Sequence, residues 1–148
     1  MRTSCRLLVL WLALPILGAA SEGNPQAELH ELKERARTAK PADATLANAR
    51  VVRQEIAIAS QYFNDGDVDK GQATVDEAVH YAELARAALD KKSKRLKEAE
   101  IILREAGRRL EEIRRTLAYD DQAPMQKAED RLEKIRRDLL TQMFGADQ

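Results

Sequence analysis

Apolar residues recur at three- and four-residue spacings along almost the whole chain, and no stretch alternates with the period of two that a strand requires. The spacing predicts a first helix over about 26–39, with Leu29, Leu32, Ala36 and Ala39 on one stripe and Pro41 ending it. A second helix is expected from Asp43, a good N-cap, to about Phe63, with an inward stripe of Leu46, Ala49, Val52, Ile56, Ala59 and Phe63. Asn64-Asp65-Gly66-Asp67 breaks it, because Gly and Asn tolerate left-handed backbone and Asp can cap the next helix. From Val68 to Leu117 a three-four seam runs on, interrupted only by Gly71 and Lys92. Such a run, free of proline, predicts one continuous coiled-coil-like helix roughly 75 Å long at about 1.5 Å per residue. Glu100/Arg104, Glu105/Arg109 and Glu111/Arg115, each four apart, support its outer face. Asp120-Asp121 stops it. A last helix, with Pro124 near its first turn, carries Met125, Ala128, Leu132, Ile135, Leu139 and Met143 and closes at Gly145.

These lengths predict an all-α fold: two antiparallel helical hairpins sharing the long central helix, with the first helix packed on the first hairpin. The second helix would cover residues 68–89 and the last would cover 97–118. Residues 90–96, the most charged stretch of the chain, would then lie bare. Gly107 would face Ile135, a small residue against a large one. The competing arrangement is a break near Lys92-Ser93 that folds the halves into a compact bundle.

The first 20 residues are of another kind. Arg2 and Arg6 precede an uncharged apolar run over 7–17, and Gly18-Ala19-Ala20 then offers small residues before Ser21. This is the layout of a secretory signal peptide, with cleavage expected between Ala20 and Ser21. The run falls short of the ~20 apolar residues of a membrane-spanning helix. Cys5 stands ahead of the run, where it cannot serve as a lipoprotein acylation site. Residues 21–148 are therefore expected to form one helical domain, secreted or periplasmic, with no transmembrane segment. Without Arg2 and Arg6, 23 basic residues face 25 acidic ones, and the single Cys and single Trp are gone. That removes disulfides, a thiol nucleophile and Cys-based metal sites.

Charge is uneven along the rest. Residues 43–83 hold eight acidic and three basic side chains, a balance of −5, whereas residues 84–115 hold eleven basic and six acidic, a balance of +5. The basic stretch 91–115, led by Lys91, Lys92, Lys94 and Arg95, could meet anionic lipid or cell-wall polymer. Acidic residues interleave with it and no aromatic stacks beside it, which speaks against nucleic acid.

Around the first turn, Ile58, Ala59, Tyr62, Gly66, Gly71 and Ala78 have the spacing of a tetratricopeptide repeat, so the hairpin over about 52–85 resembles a single such unit. The resemblance implies two closely paired helices turning at a glycine. Glu55 stands where that motif has a large residue, Glu83 where it has a proline, and Ser93 where a second copy would repeat Ala59. A lone unit does not build the concave groove that stacked repeats offer to peptides.

Few residues suggest chemistry. Asp65, Asp67 and Asp69 alternate as in a calcium loop, but Lys70 occupies the place of the obligatory glycine and Asp76 that of the closing glutamate. Glu77-x-x-His80 has the ligand spacing of di-iron bundles, yet no second such motif follows and His30 lacks a matching Glu. No catalytic constellation, metal site or cofactor is expected. Ile101, Ile102 and Leu140 lie off the main seam, and Met143-Phe144 ends the last helix; together they suggest an apolar edge for a protein partner or self-association. The expected function is that of an exported, non-catalytic interaction or scaffold protein acting through coiled-coil surfaces. The alternative is a binder of anionic envelope surface through 91–115.

Overall fold

The computed structural model describes residues 23–90, 93 and 95–145. Five helices make up the fold: α1 (Pro25–Thr38), α2 (Pro41–Asn64), α3 (Val68–Ala87), α4 (Leu96–Thr116) and α5 (Tyr119–Phe144). The expected signal peptide, with Ala20 and Ser21, lies outside the described residues, as do Lys91, Lys92 and Lys94. The all-α reading stands.

Local signals set most boundaries. Asn24 accepts a hydrogen bond from the Gln26 N–H at 3.0 Å, and Pro25 takes the first helical position, where its missing N–H costs nothing. Pro41 acts in the same way for α2, which therefore starts ahead of the expected Asp43 cap; Asp43 sits in its first turn, where it meets the positive end of the helix dipole. Gly66 adopts φ +79°, and Asp67 then caps α3 by accepting from the Lys70 N–H at 3.3 Å. Pro124 lies deeper in α5 than anticipated, since that helix already begins at Tyr119.

The long central helix is not formed. α3 ends at Ala87 and α4 begins at Leu96, with Arg95 in the left-handed region at φ 66°. A helix carried through Lys91, Lys92, Lys94 and Arg95 would place like charges three and four apart and put Lys92 on the apolar seam, both unfavourable. The break has a large return. It lets the two hairpins lie against each other and share one core, instead of each covering one side of a rod.

Their arrangement follows from the cross-links. Within the second hairpin, Arg136 reaches Glu100 at 3.0 Å and Arg114 reaches Glu129 at 2.8 Å, an antiparallel register close to the expected one. Between hairpins, α2 pairs with α4 through Arg50–Glu98 at 2.9 Å and Arg109–Ser60 at 2.9 Å, so these two helices run parallel. Arg131–Glu83 at 2.7 Å and Arg86–Asp138 at 3.5 Å make α3 and α5 parallel likewise. α2 packs on α1, α3 and α4, and α5 on α3 and α4, which leaves the consecutive helices α3 and α4 at opposite corners. The buried positions recur at one constant offset: Val75, Ala78, Ala82 and Ala85 of α3 answer to Met125, Ala128, Leu132 and Ile135 of α5. Three alanines on α3 facing larger side chains on its neighbours permit a close helix approach at little side-chain entropy cost.

Two glycines in these helices behave oppositely. A Cβ at Gly71 would sit 2.7 Å from the Phe63 ring, so this glycine is where α3 passes over the end of α2. At Gly107 nothing lies within 4 Å of such a Cβ, and the expected tight contact with Ile135 is absent. Gly107→Ala should therefore raise the unfolding free energy by about 0.5–1 kcal/mol through helix propensity alone. Gly71→Ala should lower it by about 1 kcal/mol or more through overpacking against Phe63. Urea unfolding of both variants checks the opposite signs.

Candidate functional site: the groove under α1

α2 buries two faces. One stripe, Leu46, Ala49, Val52, Ile56 and Ala59, enters the four-helix core, which contains no residue of α1. The other carries Val51 and Ile58, which form a second cluster with Leu29 of α1, flanked by Leu32, Ala36, Tyr62 and Tyr81. α1 thus lies in a groove of its own along α2, edged by α3. Gln26 at one end approaches the Tyr62 hydroxyl at 3.5 Å, and the Gln54 side chain donates to the Pro25 carbonyl at 3.2 Å.

Between Val51 and Ile58 the groove holds a charge. Glu55 is 3% exposed, and its only cationic neighbour among the described residues is Lys33 of α1, whose Nζ stands 2.7 Å from Oε1 but without the alignment of a hydrogen bond. The same ammonium donates to Glu77 of α3 at 3.3 Å and lies 5.2 Å from the centre of the Tyr81 ring. Lys33 therefore rests in a cradle of two carboxylates and an aromatic face drawn from two helices. Burial pushes the Glu55 carboxyl above its ordinary value, more than Lys33 pulls it down. Burial alone would lower the Lys33 ammonium, but Glu55 and Glu77 outweigh it and hold it above the usual lysine value. Two clefts flank α1: one of about 360 Å³ over Glu55, Ile58 and Tyr62, and one of about 660 Å³ beside Tyr81, Leu84 and Ala88.

The residues singled out in the sequence fall elsewhere. Ile102 is 4% exposed inside the four-helix core and so is no part of an apolar edge; it faces inward because α4 meets both α2 and α5. Ile101, Leu140 and Met143 are half-buried and Phe144 is 74% exposed. The α4–α5 register sets Ile101 level with Leu140, so these four gather near one end of the bundle. Arg95 is exposed and paired with Glu98 at 2.6 Å. In α4 the arginines are largely engaged: Arg104 with Glu100, Arg109 with Glu112, Arg114 with Glu129 and Arg115 with Glu111. The stretch 91–115 consequently shows no unbroken cationic face over its described residues. The coiled-coil seam is likewise spent, since Val75, Ala82, Leu103 and Leu110 all lie in the core.

His30 and His80 are exposed, and Asp67 is engaged with Lys70 at 2.6 Å. No three His, Cys, Asp or Glu side chains converge on one point among the described residues. No helix among them is long and apolar enough to cross a membrane. Comparison with protein families, with characterised proteins and with solved structures finds no match to this chain.

The Lys33 cradle escaped sequence reasoning. Glu55 stood out only where a tetratricopeptide motif has a large residue, and nothing in the order of residues says that Lys33 reaches it from another helix. Removing the ammonium strands a buried carboxylate, whereas removing both charges does not. Lys33→Met should cost about 1–3 kcal/mol at pH 7, capped by undocking of α1, and the double variant Lys33→Met/Glu55→Leu should recover it. The pH sign follows from the raised Glu55 value: the folded chain holds that proton more tightly than the unfolded one. The contribution of Glu55 to stability is thus complete below the ordinary carboxylate range and is lost as pH rises through the raised value. The Lys33→Met deficit should accordingly be smaller at pH 4 than at pH 7, as read from urea unfolding at both.

Proposed function

We propose that this chain is an exported, non-catalytic interaction protein whose working surface is the face of α2 and α3 that α1 covers. The observation that carries the reading is the separateness of α1: it contributes Leu29, Leu32 and Ala36 to a cluster of its own and nothing to the four-helix core. Full burial of one leucine supplies about 2 kcal/mol, little against the ordering of a whole helix, so α1 is held lightly while α2–α5 close on themselves. A groove that takes an amphipathic helix by apolar anchors and one lysine is a common mode of protein recognition. Export is part of the proposal through the charged, apolar and small-residue order of the first 20 positions. So is the kinship of the first hairpin to a tetratricopeptide unit, favoured by the second hairpin stacking on it helix for helix, as neighbouring repeats do.

The test loosens α1 and offers its sequence back. In the full chain carrying Leu29→Asp/Lys33→Glu, a fluorescent peptide of residues 24–40 should bind, as read by anisotropy. The same peptide with Lys33→Glu should bind roughly tenfold more weakly, about 1.4 kcal/mol. A variant that keeps its helical melting transition yet binds no peptide would overturn the reading. Hydrogen exchange on the unaltered chain gives an independent check: α1 amides should exchange well ahead of those in α2–α5, and exchange of α1 only with global unfolding counts against it.

A further inference from the structure

The two ends of the bundle differ in charge, and each carries an exposed aromatic side chain. Both hairpin turns lie at one end. Asp65, Asp67 and Asp69 stand around the first turn and Asp120 and Asp121 just past the second, beside Tyr119 at 88% exposure. Cations stand at this end too: Lys70 is paired with Asp67 at 2.6 Å, Arg114 with Glu129 at 2.8 Å and Arg115 with Glu111. The opposite end is where α2 and α4 start and α5 finishes. Lys40, Lys97 and Arg137 are exposed there and have no ion pair among the described residues, with Phe144 at 74% exposure. Carboxylates stand at this end too. Glu98 is held between Arg50 and Arg95, Asp138 lies 3.5 Å from Arg86, and Asp43 and Asp90 are exposed. On the sides of the bundle many arginines and glutamates pair, as Arg131 with Glu83 and Arg136 with Glu133, while Arg53, Arg108 and Lys134 are exposed with no ion pair among the described residues.

We infer that the Phe144 end of one copy docks on the Tyr119 end of a second copy, head to tail. Charge complementarity selects this pairing, since two acidic ends or two basic ends would meet with like charges opposed. The contact is heterologous, so each added copy leaves one acidic and one basic end free, and the product is an open chain rather than a closed dimer. The groove under α1 takes no part, and the contact stands or falls separately from the function proposed above.

Sedimentation velocity with light scattering tests the pairing on the purified chain. The average mass should grow with protein concentration at low ionic strength and return to that of a monomer in about 1 M salt, where the screening length is ~3 Å. Tyr119→Ser/Asp120→Ser and Lys97→Ser/Phe144→Ser each disable one end through exposed residues, and each alone should remain monomeric. Mixed, they keep one acidic and one basic end between them and should give heterodimers that grow no further. A chain that stays monomeric at low salt overturns the inference, and so does assembly that either variant alone still shows. Binding of the monomer to vesicles of anionic phospholipid, lost with Phe144→Ser, would overturn it in favour of a lipid surface.

Discussion

Everything in this fold turns on α2 having two apolar faces. A helix with a single stripe is satisfied by one neighbour or one hairpin partner. α2 presents Leu46, Val52, Ile56 and Ala59 on one side and Val51 and Ile58 on the other, and all six are buried. One face recruits α3 and α4, the other recruits α1. The order of layers is the outcome: α1, then the α2–α3 hairpin, then the α4–α5 hairpin. A side chain at Glu55, between the two members of the outer face, has to be answered by a charge from whatever covers it, and α1 answers with Lys33.

The second constraint is size. Alanines at 78, 82 and 85 leave α3 slender where α5 brings Leu132, Ile135 and Leu139, so the two hairpins share one core. A rod would bury those alanines against α2 alone and leave much of the larger apolar surface of α5 with one neighbour instead of two. Folding over costs a connection of a few residues between Ala87 and Leu96, a stretch whose clustered like charges would repel one another on a continuous helix.

Surface charge follows the same architecture. Pairs between helices balance charge locally once the helices are side by side, as Arg50 meets Glu98, Arg131 meets Glu83 and Arg114 meets Glu129. Each exposed pair contributes little to stability, about 0–1 kcal/mol. Their effect is to balance charge locally along the flanks.

Helix content, the first turn, the glycine at its left-handed position and the inward stripes of α2, α3 and α5 were all readable in the order of residues, because periodicity and capping are local properties. The pairing within each hairpin was readable too, since a short turn forces antiparallel neighbours. The continuity of the seam through 88–95 was misread for a physical reason. A three-four repeat fixes which side of a helix is apolar, but the same side can be covered by one long neighbour or by two short ones, and only the total burial in three dimensions decides between them. The parallel stacking of the hairpins, the inward turn of Ile102 and the meeting of Lys33 with Glu55 and Glu77 belong to that second kind of information. They join residues far apart in the chain, for which sequence spacing carries no signal.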